Sequence, residues 1–258
     1  MPNQTEILAE ILRGGGIVFF GGAGVSTESG IPDFRSETGL YSAREVYGYP
    51  PEELLSHTFF KQRAELFFRY YRENLVALSA KPNRAHLALA QLESRGLLDA
   101  VVTQNIDGLH QAAGSRTVYE LHGSNLRQYC ERCGKKFTLE YVMRSPDAVP
   151  KCDGHIGKGA SGRDNGKCGG TVRPDVVLYE EGLDDETVSN AVRAISRART
   201  LIVGGTSLAV YPAAGLLRYF KGGKLVLINK SATSYDDKAD LLIREPIGET
   251  LGAAAELL

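Results

Sequence analysis

No apolar run in the 258 residues approaches the ~18 positions that a membrane-spanning helix requires. The N-terminus, MPNQTEILAE, lacks a positive region followed by an apolar stretch, so it does not read as a signal peptide. Together these absences make the cytoplasm the expected compartment. Net charge is nearly absent too. With 30 Lys and Arg against 31 Asp and Glu, the formal charge is -1, and no global field draws the chain to nucleic acid or membrane. A local basic patch stays open. Cysteine is scarce: the 4 cysteines all fall between Cys130 and Cys168. A disulfide framework would spread them along an exported chain, so the clustering favours metal. There is no internal repeat.

What is present is an ordinary globular composition, 43% hydrophobic and 24% charged, long enough for one large domain or a large one carrying a smaller insert. Short apolar runs alternate with amphipathic stretches. GIVFF (16–20), LDAVVT (98–103), TVYEL (117–121), TVRPDVVLY (171–179), TLIVGG (200–205), KLVLIN (224–229) and ADLLI (239–243) read as strands. NRAHLALAQLESRG (83–96) reads as a helix with Asn83 as its cap and Gly96 at its end. DDETVSNAVRAISRA (184–198) has acids in its first turn and arginines in its last, matching the helix dipole. PAAGLLRYF (212–220) and IGETLGAAAELL (247–258) read as two more helices. This alternation predicts βαβ units: an α/β, doubly wound, Rossmann-like parallel sheet.

Two stretches interrupt it. Residues 37–80 look all-helical, and residues 126–170 hold every cysteine in a polar segment. Both are expected to form one small inserted domain, leaving 1–36, 81–125 and 171–258 to the sheet domain. The cysteine spacing is C-x2-C-x18-C-x15-C. Its first pair has the tight zinc-knuckle form; its second does not. Cys130, Cys133, Cys152 and Cys168 are the expected ligands, with His155 as a rival beside Cys152.

The first strand runs into GGAGVSTESGIPDFR. Glycines after a parallel strand allow a tight turn and close approach to a phosphate, and a following helix would offer free N–H groups. Gly22, Gly24 and Thr27 form a dinucleotide fingerprint whose last glycine is replaced. Alone it does not separate a nucleotide site from a plain strand-to-loop turn. There is no acid at the end of a second strand ~20 residues on to hold the adenine ribose, and Asp33-Phe34-Arg35 follow almost at once instead. The GGTS of residues 204–207 and Asn229 end later strands, on the edge where open α/β sheets bind ligands. His122 follows a short strand and precedes a glycine.

GAGVSTESGIPDFR (22–35), KPNRAH (81–86), TQNIDGLH (103–110), ELHG (120–123), the four cysteines, RPDVV (173–177), GTSLAVYPAA (205–214) and Asn229 together resemble the sirtuins, in the form of a bacterial-type catalytic core. These are NAD-dependent protein-lysine deacylases. The resemblance implies a zinc-bearing small domain and NAD meeting an acyl-lysine peptide in the cleft between domains. Ala23, Gly24, Ser26, Thr27, Phe34 and Arg35 would line the diphosphate and nicotinamide ribose, with Asp33 ordering the loop. Gln104, Asn105, Ile106 and Asp107 would form the nicotinamide side. Gly205, Thr206, Ser207 and Asn229 would take the adenosine half. His122 would be the general base, and Asn105 would polarise a water or ribose hydroxyl. The family's reaction gives free lysine, nicotinamide and an O-acyl-ADP-ribose. Competing readings are mono-ADP-ribosyl transfer, removal of longer uncharged acyl groups, and a zinc-ribbon binding module that only senses NAD.

Two departures stand out. Tyr179-Glu180-Glu181 replaces the family's Phe-Gly-Glu at the loop expected to pair with a substrate peptide. Glu180 could favour basic flanking residues or simply be solvated. Phe68 and Tyr71 occupy the positions of the Tyr-x-x-Arg pair that binds acidic acyl groups, so deacetylation is favoured. Loop 36–48 is expected to be a mobile lid.

Overall fold

Successive residues of a buried parallel strand must each find an apolar layer, because their side chains alternate between the two faces. That is how the apolar runs are used. Ile17 and Phe19 enter one core with Val101, Ile202, Val226 and Ile228. Val18 and Phe20 enter the opposite core with Ala100, Val102, Leu201, Val203, Leu225 and Leu227. The computed structural model describes residues 2–33, 43–155 and 166–258. Among them are nine strands: β1 (Ile17–Gly21), β2 (Leu98–Thr103), β3 (Val118–Glu120), β4 (Gly123–Cys130), β5 (Lys136–Thr138), β6 (Val172–Val176), β7 (Thr200–Gly204), β8 (Lys224–Ile228) and β9 (Leu241–Ile243).

One compact unit comprises Met1–Leu40, Leu78–His122 and Leu183–Leu258. Its six-stranded sheet has the order β3-β2-β1-β7-β8-β9, and every pairing is parallel. Helices Gln4–Arg13, Arg84–Ser94 and Ile247–Glu256 cover one face through Leu8, Leu12, Leu89, Leu92 and Leu251. The helix Asp185–Arg197 and the 3₁₀ segment Ala213–Tyr219 cover the other through Ala191, Ile195, Leu216 and Leu217. The doubly wound sheet therefore matches the alternation read from the sequence. Strand order reverses between β1 and β7, so their C-terminal ends form a topological switch point.

The second unit comprises Tyr41–Ala77 and Gly123–Gly182. It holds short helices between Ala43 and Tyr70, a π-helical turn at Tyr71–Leu75 and the three-stranded antiparallel sheet β5-β4-β6. Phe60, Phe67, Phe68 and Tyr71 are at most 2% exposed. Three of their ring pairs meet edge to face at 5.0, 6.0 and 5.3 Å. Each such ring contributes roughly 2–3 kcal/mol by leaving water.

Three sequence expectations are revised. The sequence places the segment from 171 in the sheet domain, but β6 pairs with β4, Cys130 opposite Val172 and Gly123 opposite Val176, and so belongs to the small unit through Gly182. The boundary near 125 likewise moves to His122. Within 212–220, Ala213–Tyr219 forms a 3₁₀ segment, not an α-helix. Most of the expected lid, residues 36–42, lies outside the described residues, while Ala43–Tyr47 is helical.

Candidate functional site

Three loops leave the C-terminal ends of β1, β2 and β7. After β1 the chain makes two short 3₁₀ turns, Ala23–Val25 and Thr27–Ser29, and Gly30 ends them at φ 81°. These 3₁₀ turns stand where a helix is expected to follow the strand. The glycines serve loop packing as much as tightness of turn. Gly24 N–H donates to the Gly205 carbonyl at 2.8 Å. A Cβ on Gly24 would lie 2.8 Å from Gly205 Cα, and one on Gly205, at φ +58°, would lie 2.4 Å from Val25 N. Any side chain here would separate the loops after β1 and β7.

Polar side chains complete the arrangement. Ser26, 1% exposed, donates its hydroxyl to Asp107 Oδ2 at 2.6 Å and accepts from Asn105 Nδ2 at 3.0 Å. Asp107 Oδ1 accepts the Leu109 N–H at 2.9 Å. Asn105 N–H donates to Thr103 Oγ1 at 3.0 Å. Gln104 Nε2 donates to Thr206 Oγ1 at 3.1 Å, joining the β2 and β7 loops, and Thr206 Oγ1 also accepts the Leu208 N–H at 3.2 Å. Thr27 Oγ1 donates back to the Gly24 carbonyl at 3.0 Å.

His122 Nδ1 lies 2.9 Å from the Gln104 carbonyl oxygen. A carbonyl only accepts, so Nδ1 carries the proton and Nε2 of the neutral ring keeps a lone pair. Burial pushes the His122 pKa below the usual imidazole value, against the opposing effect of the Gln104 bond. The ring is therefore neutral at pH 7.

The structure brings together Gly24, Ser26, Gln104, Asn105, Asp107, Gly205, Thr206 and His122. Ala23 and Ile106 are half-buried and Ser207 is exposed on these same loops. Asp33 is half-buried, while Phe34 and Arg35 lie outside the described residues. Asn229, beyond β8, bonds instead to its own loop: its Nδ2 donates to the Ser231 carbonyl at 2.7 Å, and its carbonyl accepts Arg244 Nη1 at 2.9 Å. Sequence reasoning missed the supports. Asn83 Nδ2 donates to the Val25 carbonyl at 2.7 Å and to Ser29 Oγ at 3.0 Å. Glu28 accepts the Gly248 N–H at 2.8 Å, at the start of the last helix. Asn83 was legible only as a helix cap; its bond to the loop had no local signal.

In the second unit, the Cys130, Cys133, Cys152 and Cys168 sulfurs all lie within 4.8 Å of one another. The pairs 130/168 and 133/152 stand 3.6 Å apart. A tetrahedral zinc with Zn–S of about 2.3 Å demands sulfurs roughly 3.8 Å apart, so this donor set fits the ion. Arg132 and Gly154 N–H groups donate to the Cys130 and Cys152 sulfurs, each at 3.3 Å, which suits thiolates. A Cβ on Gly170 would lie 2.7 Å from the Cys130 sulfur. His155 stands outside the cluster, in an isolated bridge to Lys167.

The same unit holds a part-buried ion pair. Arg173, 4% exposed, donates to both Glu181 oxygens at 2.7 and 3.0 Å and lies over the Phe60 and Tyr129 rings. Glu181 also accepts from His57 Nδ1 and Leu178 N–H, each at 2.8 Å. Burial would raise the Glu181 pKa, but these bonds and the Arg173 charge hold it at about 2. Beside it Glu180 adopts φ 75°, a glycine-like backbone, and its carboxylate accepts the Thr58 N–H at 2.8 Å. Glu180 is thus a brace within its own unit.

A Rossmann-like sheet with a polar switch point, plus a four-cysteine module, defines a class of dinucleotide-using proteins. The Sir2 family model matches residues 22–212, and the chain belongs to that family. Curated relatives include an NAD-dependent protein deacetylase of Clostridium acetobutylicum, 61% identical over 97% of each chain. One from Clostridium tetani is 54% identical over 100% of this chain and 99% of its own. A solved Sir2 structure with a deacetylated p53 peptide and 3'-O-acetyl ADP ribose superposes with TM-score 0.85 at 38% identity, covering 98% of both chains. A Sir2 structure with p53 peptide and NAD+ gives TM-score 0.82 at 39% identity, covering 99% of this chain and 98% of that one.

Proposed function

We propose that the protein is an NAD-dependent protein-lysine deacetylase that moves the acetyl group from lysine to ADP-ribose and releases nicotinamide. When bound, NAD supplies the electrophilic sugar carbon and the hydroxyl that finally carries the acetyl group. The residues fit this co-substrate: hydroxyl, amide and carboxylate groups from three loops converge at the switch point, where ligands of open sheets bind. Ser26, Asn105 and Asp107, already bonded to one another, hold the nicotinamide side. Gln104 and Thr206 tie that side to the β7 loop, and Gly205, Ser207 and Asn229 serve the adenosine half. Asp33, Phe34 and Arg35 serve the diphosphate and nicotinamide-ribose region in the same reading. The cysteines hold a structural zinc, which contributes folding energy to the small unit.

The observation that carries the reading is the fixed tautomer of His122. The Gln104 carbonyl locks Nδ1–H, leaving Nε2 to take the proton from a sugar hydroxyl. Changing His122→Ala removes that base and is expected to lower deacetylation ~100- to 10,000-fold with NAD affinity kept. Normal turnover by the purified variant would overturn the role.

The acyl group is acetyl or another uncharged one. At the register of the acid-binding pair stand Phe68 and Tyr71, 0% and 1% exposed. The neighbouring arginines are already engaged: Arg69 with Glu73, and Arg72 with the carbonyls of Val142, Asp147 and Ala148. The partner is an acyl-lysine protein or peptide, received at Tyr179–Glu181. Neither nucleic acid nor membrane is a partner in this reading. Among the described residues no helix is long and apolar enough to cross a membrane. The cytoplasm is the proposed location.

A further inference from the structure

We infer that Asn83 is a positioning residue for the cofactor loop, acting through the Val25 carbonyl; the inference rests on the reading of Gly22–Ser26 as part of the NAD site. The two ends of its amide have separate duties. Oδ1 accepts from the Ala85 and His86 N–H groups at 2.9 and 3.4 Å and so caps the helix Arg84–Ser94. Nδ2 faces the other way and donates to the Val25 carbonyl at 2.7 Å and to Ser29 Oγ at 3.0 Å. A carbonyl needs a donor and an amide N–H needs an acceptor, so this orientation is the chemically consistent one.

The contact point matters because Val25 is 0% exposed and directly precedes Ser26. Ser26 in turn sets both Asp107 and Asn105 through its hydroxyl. A displaced Val25 carbonyl would carry Ser26 away from those partners. Behind Asn83, His86 is 0% exposed, with Nδ1 3.0 Å from Asn83 Oδ1. Its ring meets His110 edge-on at 4.7 Å. His110 lies on the short helix Leu109–Ala113, whose Leu109 N–H is bonded to Asp107. Asn83 is thus braced from behind by elements that also hold Asp107.

The test separates capping from positioning. Asn83→Ser and Asn83→Asp both keep a good N-cap oxygen; aspartate carries no donor, and the serine hydroxyl, one bond from Cβ, falls short of the place from which Nδ2 reaches Val25. Serine adds no charge. Thermal melting and the KM for an acetyl-lysine peptide are expected to stay near wild type for both, while the KM for NAD rises ~tenfold or more. Inhibition by added nicotinamide should weaken in parallel. Ser29→Ala, which leaves the Val25 bond intact, should change the KM for NAD less than twofold. The inference is overturned if Asn83→Ser binds NAD as wild type does, or if only the aspartate variant is impaired, which would make charge the cause. It is also overturned if the peptide and NAD constants rise equally. Calorimetry on the wild type keeps the two levels apart. No NAD binding by the wild type would remove the site reading itself, whereas equal binding by wild type and Asn83→Ser removes only the role of Asn83.

Discussion

The two units keep their polar groups in place by different means. In the sheet unit, Gly24 and Gly205 touch backbone to backbone, and neutral hydrogen bonds join Asn105 to Ser26 and Gln104 to Thr206 above strands buried on both faces. In the small unit, order comes from four clustered sulfurs and a part-buried Arg173–Glu181 pair beside an aromatic cluster. Its sheet has only three strands. A large apolar core lets the first unit hold a polar edge without metal, whereas the second needs ionic or metal fastening to reach comparable order.

The largest expected effect follows from breaking that fastening. Cys168→Ser, or zinc removal by a chelator, should abolish amide-exchange protection in Gly123–Gly182 while β1, β2 and β7 stay protected. Uniform loss across both units, or none, would erase the contrast. Next comes Glu181→Ala, which leaves Arg173 buried without its counter-charge. Breaking a fully buried pair costs on the order of 3–5 kcal/mol, and with Glu181 partly exposed the loss in denaturant unfolding is expected at or below the lower end of that range; a change within error would mean that the pair is not a fastener.

Acid should expose the matching weakness of the sheet unit. Burial lowers the His86 pKa to about 4, against the opposing Asp107 charge. Burial and His86 lower the His110 pKa to about 3. The folded pKa values lie below the unfolded one, so this stabilisation is complete above about pH 6.5 and is lost as pH falls toward 4. Displacements of this size correspond to roughly 3 kcal/mol for His86 and on the order of 5 kcal/mol for His110. His110→Gln should flatten the dependence seen in melting between pH 7 and 4; an unchanged slope would contradict it. The smallest effect belongs to Glu180→Gly, which relieves the φ 75° backbone but loses the bond to Thr58. Melting should shift by no more than about 3 °C, while the Thr58 amide exchanges faster. Unaltered exchange there would remove the brace.

The strands of the large sheet were legible because burial on both faces writes itself as unbroken apolar runs such as Ile17–Phe20. The affiliation of β6 was not legible. Val172–Val176 is a short edge strand, and its partner is set by β4, far away in sequence. The fingerprint loop could be found from its glycines, but its two 3₁₀ turns and the Gly24–Gly205 contact depend on where β7 brings its own loop. The cysteines were legible through type and clustering, although Cys152 and Cys168 lack the tight spacing. Asn83 announced a helix cap, and only the fold shows its other end reaching Val25.

Incubation of the purified protein with NAD and an acetyl-lysine peptide, followed by mass spectrometry of every product, tests the central claim most directly. The account predicts deacetylated peptide, nicotinamide and O-acetyl-ADP-ribose in equal amounts. Free acetate formed without NAD consumption, or a peptide carrying ADP-ribose, would contradict it.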